Sequence, residues 1–498
     1  MCCGVRHEHD PAFALLYDFV SSDDAAIRCG AVAGLGLAYA GAARDEVAEL
    51  LVPVVADHDA PVAVAGQAAL SLGLVFAGRA HEPAVEAVLQ ALMTRPPADL
   101  ADPAARLMAL ALGLLFLRRQ GGADATLEVV DALDERIAPY ARATLEGCAY
   151  AGTGDVLRVQ ALLRLVGEAG AKAAAPAAAE PAAAPAAPAA PAAAGAAAGA
   201  AAAPSAPPAA APAAPVATRP SADGDGDEPW RTAHLGAAVL GVALVALGED
   251  CGAQMASRSL EHVLQYGEPG ARRGVPVALA LLNASSPGAR AVDTLARLSH
   301  DADADVARAA VLALGVVGAG TNNARLAGLL RGLASYYNKE PSLLLLTRAA
   351  QGLVHAGKGL LTAAPRHTDG FLLSTLALGG LLPVLHAGLD AASTLCARSP
   401  VALFHLAAAL RPRSLTTVDE AGNALPVSVR VGQAVDVVAQ AGRPKTVTGF
   451  QTHTTPVLLA AGERAELATG KYLSLAPVLE GVVVLRENPD YVEMAGGE

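Results

Sequence analysis

The chain has 498 residues, of which 53% are hydrophobic and only 3% aromatic, so small side chains must build the core and helices must approach one another closely. A net charge of −12 excludes nucleic acid as a partner, because phosphate binding needs a basic surface, and suits basic protein partners instead. The six cysteines, Cys2, Cys3, Cys29, Cys148, Cys251 and Cys396, show no CxxC and no metal-ligand spacing, and they read as buried thiols of a reducing compartment.

The first residues, "MCCGVRHEHD", lack the basic and apolar regions of a secretory signal. Their "HEHD" (7–10) reads as a frayed terminus rather than a metal site. A helix is expected from Asp23 and Asp24, which suit its N-terminus, through "GAVAGLGLAYAG" to a terminating Gly41. Gly36 lies inside it and costs about 1 kcal/mol of helix propensity, a cost that close approach of a neighbouring helix can offset. The G-L-G is no dinucleotide loop, since no strand precedes it and no ribose-binding acid follows. A second, amphipathic helix follows, with Val47, Leu50, Leu51 and Val54 at helical spacing.

This unit recurs. The pair Gly36 and Gly41 returns as Gly73 and Gly78, Gly147 and Gly152, Gly315 and Gly320, and Gly352 and Gly357, always five residues apart. Degenerate copies at Gly113/Arg118, Ala243/Gly248 and Ala278/Asn283 fill the gaps, so the period is about 37 residues. The one long step, from 147 to 243, contains an alanine/proline tract, residues 169–229, that cannot pack a core and reads as a disordered insert between two repeats. The expected divisions are helical repeats over 10–168, the insert over 169–229, further repeats over 230–412, and a last module over 413–498. The fold class is therefore mostly α, an α-solenoid of stacked helix pairs.

Within the first half, "GADATLEVVDALDER" places Asp124, Glu128, Asp131 and Glu135 at i, i+4, i+7 and i+11, one acidic stripe on one expected helix, with Leu127, Val130 and Leu133 turned to packing. On residue type alone such a stripe reads as a solvated face. In the second half, "SHDADAD" (299–305) lacks the glycine and distal glutamate of a calcium loop and reads as a turn with helix-capping aspartates. The uncharged "GFLLSTLALGGLLPVLHAGL" (370–389) is long enough to span a membrane, but its Gly-Gly, Pro383 and His386 favour two buried helices around a turn. His355, His386 and His405 sit singly in apolar text and read as satisfied core histidines. From about Leu415 the text alternates, with Val427, Val429 and Val431 against Ser428 and Arg430, which predicts a β-rich module of four to six strands that closes or braces the solenoid. No Ser/His/Asp or Cys/His constellation can be placed, so neither catalysis nor a cofactor or metal is expected.

Three stretches carry a family likeness: 234–250, 300–337 and 427–469, the last the most specific. With them the chain resembles the family of the non-ATPase scaffold subunit one of the proteasome regulatory particle, a proteasome/cyclosome-repeat protein, over nearly its whole length outside the insert. The resemblance implies a toroid of two concentric helix rings and a non-enzymatic scaffold, acting in cytoplasm and nucleus. It implies a place beside the ATPase ring, where the scaffold docks ubiquitin chains, ubiquitin-like domains of shuttle receptors and a deubiquitinase. It also implies that the acidic residues just before the insert, Asp124, Glu128, Asp131 and Glu135, meet the basic rim of ubiquitin's apolar patch. Two features depart from the family pattern: its long helical N-terminal region is missing from this sequence, which reads as N-terminally truncated, and its usually charged insert is Ala/Pro-rich here. Repeat architecture without the resemblance would give a generic α-solenoid adaptor.

Overall fold

The structure, a computed structural model, describes residues 10–174, 230–368, 372–397, 400–435, 446–460 and 462–491. The expected insert lies outside the described residues, except that its first few residues continue a helix to Ala174. "HEHD" also falls outside them, apart from Asp10.

Helices pair as the period predicts. One row contains α2 (Ala25–Ala38), α4 (Val62–Val75), α7 (Arg106–Leu115), α9 (Ala138–Ala149), α11 (Trp230–Ala246), α13 (Pro269–Leu282), α15 (Ala304–Val317) and α17 (Pro341–Val354), each packed on the next. A second row backs it: α3 (Asp45–Ala56), α5 (Glu82–Thr94), α8 (Asp124–Asp131), α10 (Val156–Ala174), α12 (Asp250–Tyr266), α14 (Ala289–Leu298) and α16 (Ala324–Tyr336). Short helices α1 (Pro11–Leu16) and α6 (Pro97–Leu100) lie in the first half. On α3, Val47 and Leu51 are fully buried, with Leu50 and Val54 at the margin.

The first glycine of each pair is a contact point. A Cβ at Gly36 would stand 2.8 Å from Ser71 Cα, at Gly73 3.1 Å from Ala111 Cα, at Gly147 2.8 Å from Gly241 Cα, and at Gly315 2.7 Å from Ala350 Cα. Each reaches the next helix of the inner row, and Gly147 does so across the insert, so α9 and α11 are neighbours. Gly352 differs. It is exposed with open space around it, because α17 ends the row and, among the described residues, no further helix of the row follows it.

The second glycine does more than stop a helix. α2 ends at Ala38, three residues before Gly41. Gly41, Gly78, Gly152 and Gly320 take φ of +70°, +70°, +72° and +62°, which costs glycine little. That conformation aims each N–H at the last turn of the next inner helix: Gly41 donates to Leu74 O, Gly78 to Leu114 O, Gly152 to Leu244 O and Gly320 to Leu353 O, at 2.8–3.0 Å. Carbonyls left without partners at a helix end are thereby satisfied by the neighbouring repeat. In the degenerate copy Arg118 takes the same role, with φ +63° and a bond to Cys148 O.

The segment 370–389 forms one helix, α18 (Thr375–Leu389), rather than a pair around a turn. It lies on the concave side of the inner row, against α4, α7, α11, α13 and α15. It is apolar all round because it is buried all round. Its glycines are contact points: a Cβ at Gly380 would meet Ala409 N at 2.5 Å in α19 (Leu406–Ala409), and one at Gly388 would meet Leu312 at 2.9 Å. Among the described residues no helix is long and apolar enough to cross a membrane. The row's ends, α2 and α17, do not pack on each other as the neighbours within it do. The segment after α18 links them instead, with Cys396 Sγ 3.7 Å from Ser342 O at the start of α17 and residues 401–405 against α2.

Histidines and cysteines divide by place. His386 on α18 is buried and hydrogen-bonded to the Tyr140 hydroxyl at 2.7 Å, and burial pushes its pKa down to about 3. His405 is buried too and pushed down to about 4. His355 is not a core residue; it is exposed and bonds Asn322 Oδ1 at 2.8 Å. Cys148 is buried, Cys29 and Cys396 are half-buried, and Cys251 is exposed in the first turn of the outer helix α12, contrary to the expectation of burial. Burial pushes the Cys148 thiol up to about 12. A maleimide should therefore label Cys251 within minutes and Cys148 only after denaturation; mass spectrometry of the labelled peptides checks this.

The C-terminal module has more strands than expected. A small ladder pairs β1 (Leu361–Thr362) with β2 (Arg411–Pro412). Beyond it are β3 (Ser414–Val418), β4 (Ser428–Val435), β5 (Thr446–Thr454), β6 (Val457–Leu458), β7 (Glu463–Leu467), β8 (Tyr472–Ser474) and β9 (Gly481–Glu487). They form sheets of order β6-β3-β9-β8 and β5-β4-β7, with β3 and β9 parallel. Val427, Val429 and Val431 are buried with Leu415, Val483 and Leu485, as the alternation predicts. The module braces the repeats. Arg413 donates to Gly320 O and Ser285 O, and the Glu480 carboxylate accepts from His367 and holds an ion pair with Arg411. Burial opposes its ionisation, yet the His367 hydrogen bond and the Arg411 charge hold the Glu480 carboxyl below its ordinary range.

Candidate docking surface

The acidic stretch is built on α8. A 3-10 turn, Gln120–Ala123, leads in, and Asp124 opens the helix, where a carboxylate is favoured by the helix dipole. Leu127, Val130 and Leu133 are buried, which fixes the opposite face outward. Asp124, Glu128 and Asp131 are exposed on that face. α8 ends at Asp131, however, so the fourth acid is not on the helix. Glu135 lies in the turn that follows, also exposed. That turn is held by Asp134, whose Oδ1 accepts from Arg136 N at 2.9 Å and whose carbonyl accepts from Ile137 and Ala138. Pro139 stands at the start of α9. The residue before a proline disfavours helical backbone, so the break between 131 and 138 could have been read from the sequence.

Asp131 forms an ion pair with Arg142 of α9, both half-exposed, an arrangement of small energetic weight. Asp124, Glu128 and Glu135 make no ion pair among the described residues. Glu135 instead borders a cavity of about 230 Å³ between α9 and α11, beside Arg136, Tyr140, Arg231 and His234. The loops place further groups on this edge. Arg118 N bonds Cys148 O, so the turn entering α8 lies against the end of α9, whose next turn begins α10. There Val156 and Leu157 are 63% and 74% exposed. Sequence reading did not single them out.

Charge is divided along the chain. Residues 10–168 carry 21 Asp and Glu against 11 Arg, whereas residues 230–412 carry 11 Asp and Glu against 15 Lys and Arg. The acidic face therefore lies in the acidic half, where the long-range field adds to local charge. The aspartates of 299–305 are half-buried and paired. Asp303 caps α15 by accepting from Asp305 N, and Asp301 and Asp303 pair with Arg272 and Arg273, which accounts for "SHDADAD" without a cation. Among the described residues no cluster of His, Cys, Asp and Glu could hold a metal ion.

Known proteins match this chain along most of its length. The proteasome/cyclosome repeat family matches residues 30–64 and 309–343, and the family described as 26S proteasome non-ATPase regulatory subunit RPN1 C-terminal matches residues 438–491. The 26S proteasome non-ATPase regulatory subunit 2 homolog B of Arabidopsis thaliana is 47% identical over 99% of this chain and 49% of its own length. The 26S proteasome regulatory subunit rpn1 of Schizosaccharomyces pombe is 44% identical over 98% and 49%. The Dictyostelium discoideum non-ATPase regulatory subunit 2 is 42% identical over 98% and 48%. The chain spans about half the length of the curated relatives it matches. With a repeat architecture, a C-terminal module and relatives that agree, the chain belongs to the family of the 26S proteasome non-ATPase regulatory subunit 2, Rpn1.

Proposed function

We propose that this chain acts as a non-catalytic scaffold of the proteasome regulatory particle, held beside the ATPase ring in cytoplasm and nucleus. Asp124, Glu128, Asp131 and Glu135 dock ubiquitin chains and the ubiquitin-like domains of shuttle receptors, and the same scaffold holds a deubiquitinase. The observation that carries this reading is the acidic face itself: exposed carboxylates on α8 and the following turn, three of them without an ion pair among the described residues. Contacts of this kind favour fast, salt-sensitive binding of moderate affinity. Reversing Asp124, Asp131 and Glu135 to lysine together should reduce capture of ubiquitin chains and shuttle receptors by about tenfold or more. The melting temperature should fall only slightly, because none of the three is buried and the helix-dipole and Asp131–Arg142 contributions that reversal removes are small. Unchanged capture by the reversed chain would remove the acidic face from the reading.

A further inference from the structure

The alanine/proline insert ends in "PSADGDGDEP" (220–229), where Pro220 and Pro229 bracket four acids, Asp223, Asp225, Asp227 and Glu228, with no basic residue among them. The next residue, Trp230, opens α11, so this acidic segment is tied to the start of that helix.

The surface beside the tether is aromatic and basic. α11 and α12 are 17 residues each and are joined by residues 247–249, so they run antiparallel and the end of α12 stands beside the start of α11. There Tyr266 is 73% exposed, with the His262 ring 4.8 Å away. The start of α13 is close as well, since a Cβ at Gly270 would meet Thr232 at 2.7 Å. From α13 the edge continues through the Arg272–Asp301 pair to His300, whose ring lies 5.0 Å from that of Tyr336 at the end of α16. Tyr336 is 68% exposed. Aromatic residues make up only 3% of this chain, yet two tyrosines stand bare along one edge, where rings of this kind serve to meet a partner.

Charge agrees with the aromatic signal. Arg297 in the last turn of α14, Arg331 of α16 and Lys339 just beyond it are exposed and make no ion pair among the described residues. Glu340 is the exposed acid beside them. On the other side of α11 lies the acidic half, where Glu135 borders Arg231 and His234, so like charge turns an acidic segment away from α8 and towards α12, α14 and α16. Ten residues of extended chain reach roughly 33 Å, and the two helix spacings from α12 to α16 need roughly 20 Å.

We propose that residues 220–229, the acidic end of the insert, dock back along this edge: Pro229 against Tyr266, the four acids against Arg297, Arg331 and Lys339, and Pro220 against Tyr336. Proline rings pack on aromatic faces, as in the recognition of proline-containing segments by aromatic-lined grooves. The short tether supplies an effective concentration in the millimolar range, so weak contacts suffice, and the charges make the docking salt-sensitive. The surface is separate from the acidic face on α8, and neither proposal depends on the other.

Nitration of the whole chain by tetranitromethane, read tyrosine by tyrosine by mass spectrometry, tests this, with the half-exposed Tyr17 of the first half as reference. The comparison is a variant with Asp223→Asn, Asp225→Asn, Asp227→Asn and Glu228→Gln, which alters no described residue. Relative to Tyr17, Tyr266 and Tyr336 should react about threefold or more slowly in the unmodified chain than in the variant, and high salt should erase the difference. Arg297→Glu combined with Arg331→Glu should release both tyrosines in the same way. Equal nitration with and without the four acids would overturn the proposal. So would protection that grows with chain concentration, which would place the contact between two copies.

Discussion

Gly320→Ala should lower the unfolding free energy by about 3 kcal/mol or more, whereas Gly352→Ala, the same change at another glycine of the same repeat pattern, should leave stability unchanged or raise it by up to about 1 kcal/mol. Gly320 has φ +62°, and a Cβ there would stand 1.8 Å from the Leu361 carbonyl oxygen. Alanine would have to leave the left-handed region or displace β1. Either movement also breaks the Gly320 N–H bond to Leu353 O and the Arg413 bond to Gly320 O, so the turn, the next repeat and the β-rich module would loosen together. Gly352 is in the interior of α17, exposed, with nothing within 4 Å of its Cβ position, so alanine gains helix propensity and meets no neighbour. Urea denaturation followed by circular dichroism separates the two. Equal effects would mean that period alone, and not the contact, decides what each glycine does.

Acid should destabilise the fold well above the range where carboxylates titrate. His386 and His405 have folded pKa values pushed down by burial to about 3 and about 4, from an ordinary value of 6.5. Below 6.5 the unfolded chain binds protons at both positions that the folded chain refuses, so stability rises with pH across that window. The contribution is full above the unfolded value and falls as pH drops from about 6.5 towards 4 for His405 and towards 3 for His386. From pH 7 to pH 5 each histidine should remove roughly 2 kcal/mol, about 4 kcal/mol together. His386→Gln should flatten the slope by about half, which a pH series of urea denaturations reads directly. A flat profile between pH 7 and pH 5 would mean that the two rings are hydrated in the folded chain.

The repeat was legible in the sequence because it is written in glycine spacing, and small residues at fixed intervals have few other uses in a helical chain. The position of Gly41 and its equivalents was legible, but their partner was not, since a bond from a turn to the next repeat leaves no mark at its donor. α18 was misread for a related reason. Gly379, Gly380 and Pro383 punctuate a sequence when taken locally, yet here Gly380 admits the backbone of α19 and burial on every side sustains the helix. The same limit applies to Glu135. Spacing of i+11 describes a single face only if the helix lasts, and Asp134 and Pro139 end it first. His355 and Cys251 show that apolar surroundings in sequence do not make a position internal, because the first turn of an outer helix and the turn after an inner one both meet solvent.

The proposed role rests most directly on whether the α8 face meets ubiquitin. Titration of 15N-labelled ubiquitin with the whole chain, at low salt and again at high salt, tests it in one experiment. The account predicts saturable shifts at ubiquitin's apolar patch and its basic rim, an affinity that weakens as salt rises, and loss of the shifts with Asp124, Asp131 and Glu135 reversed. Shifts that persist unchanged with the reversed chain, or no shifts with the unmodified one, would contradict it.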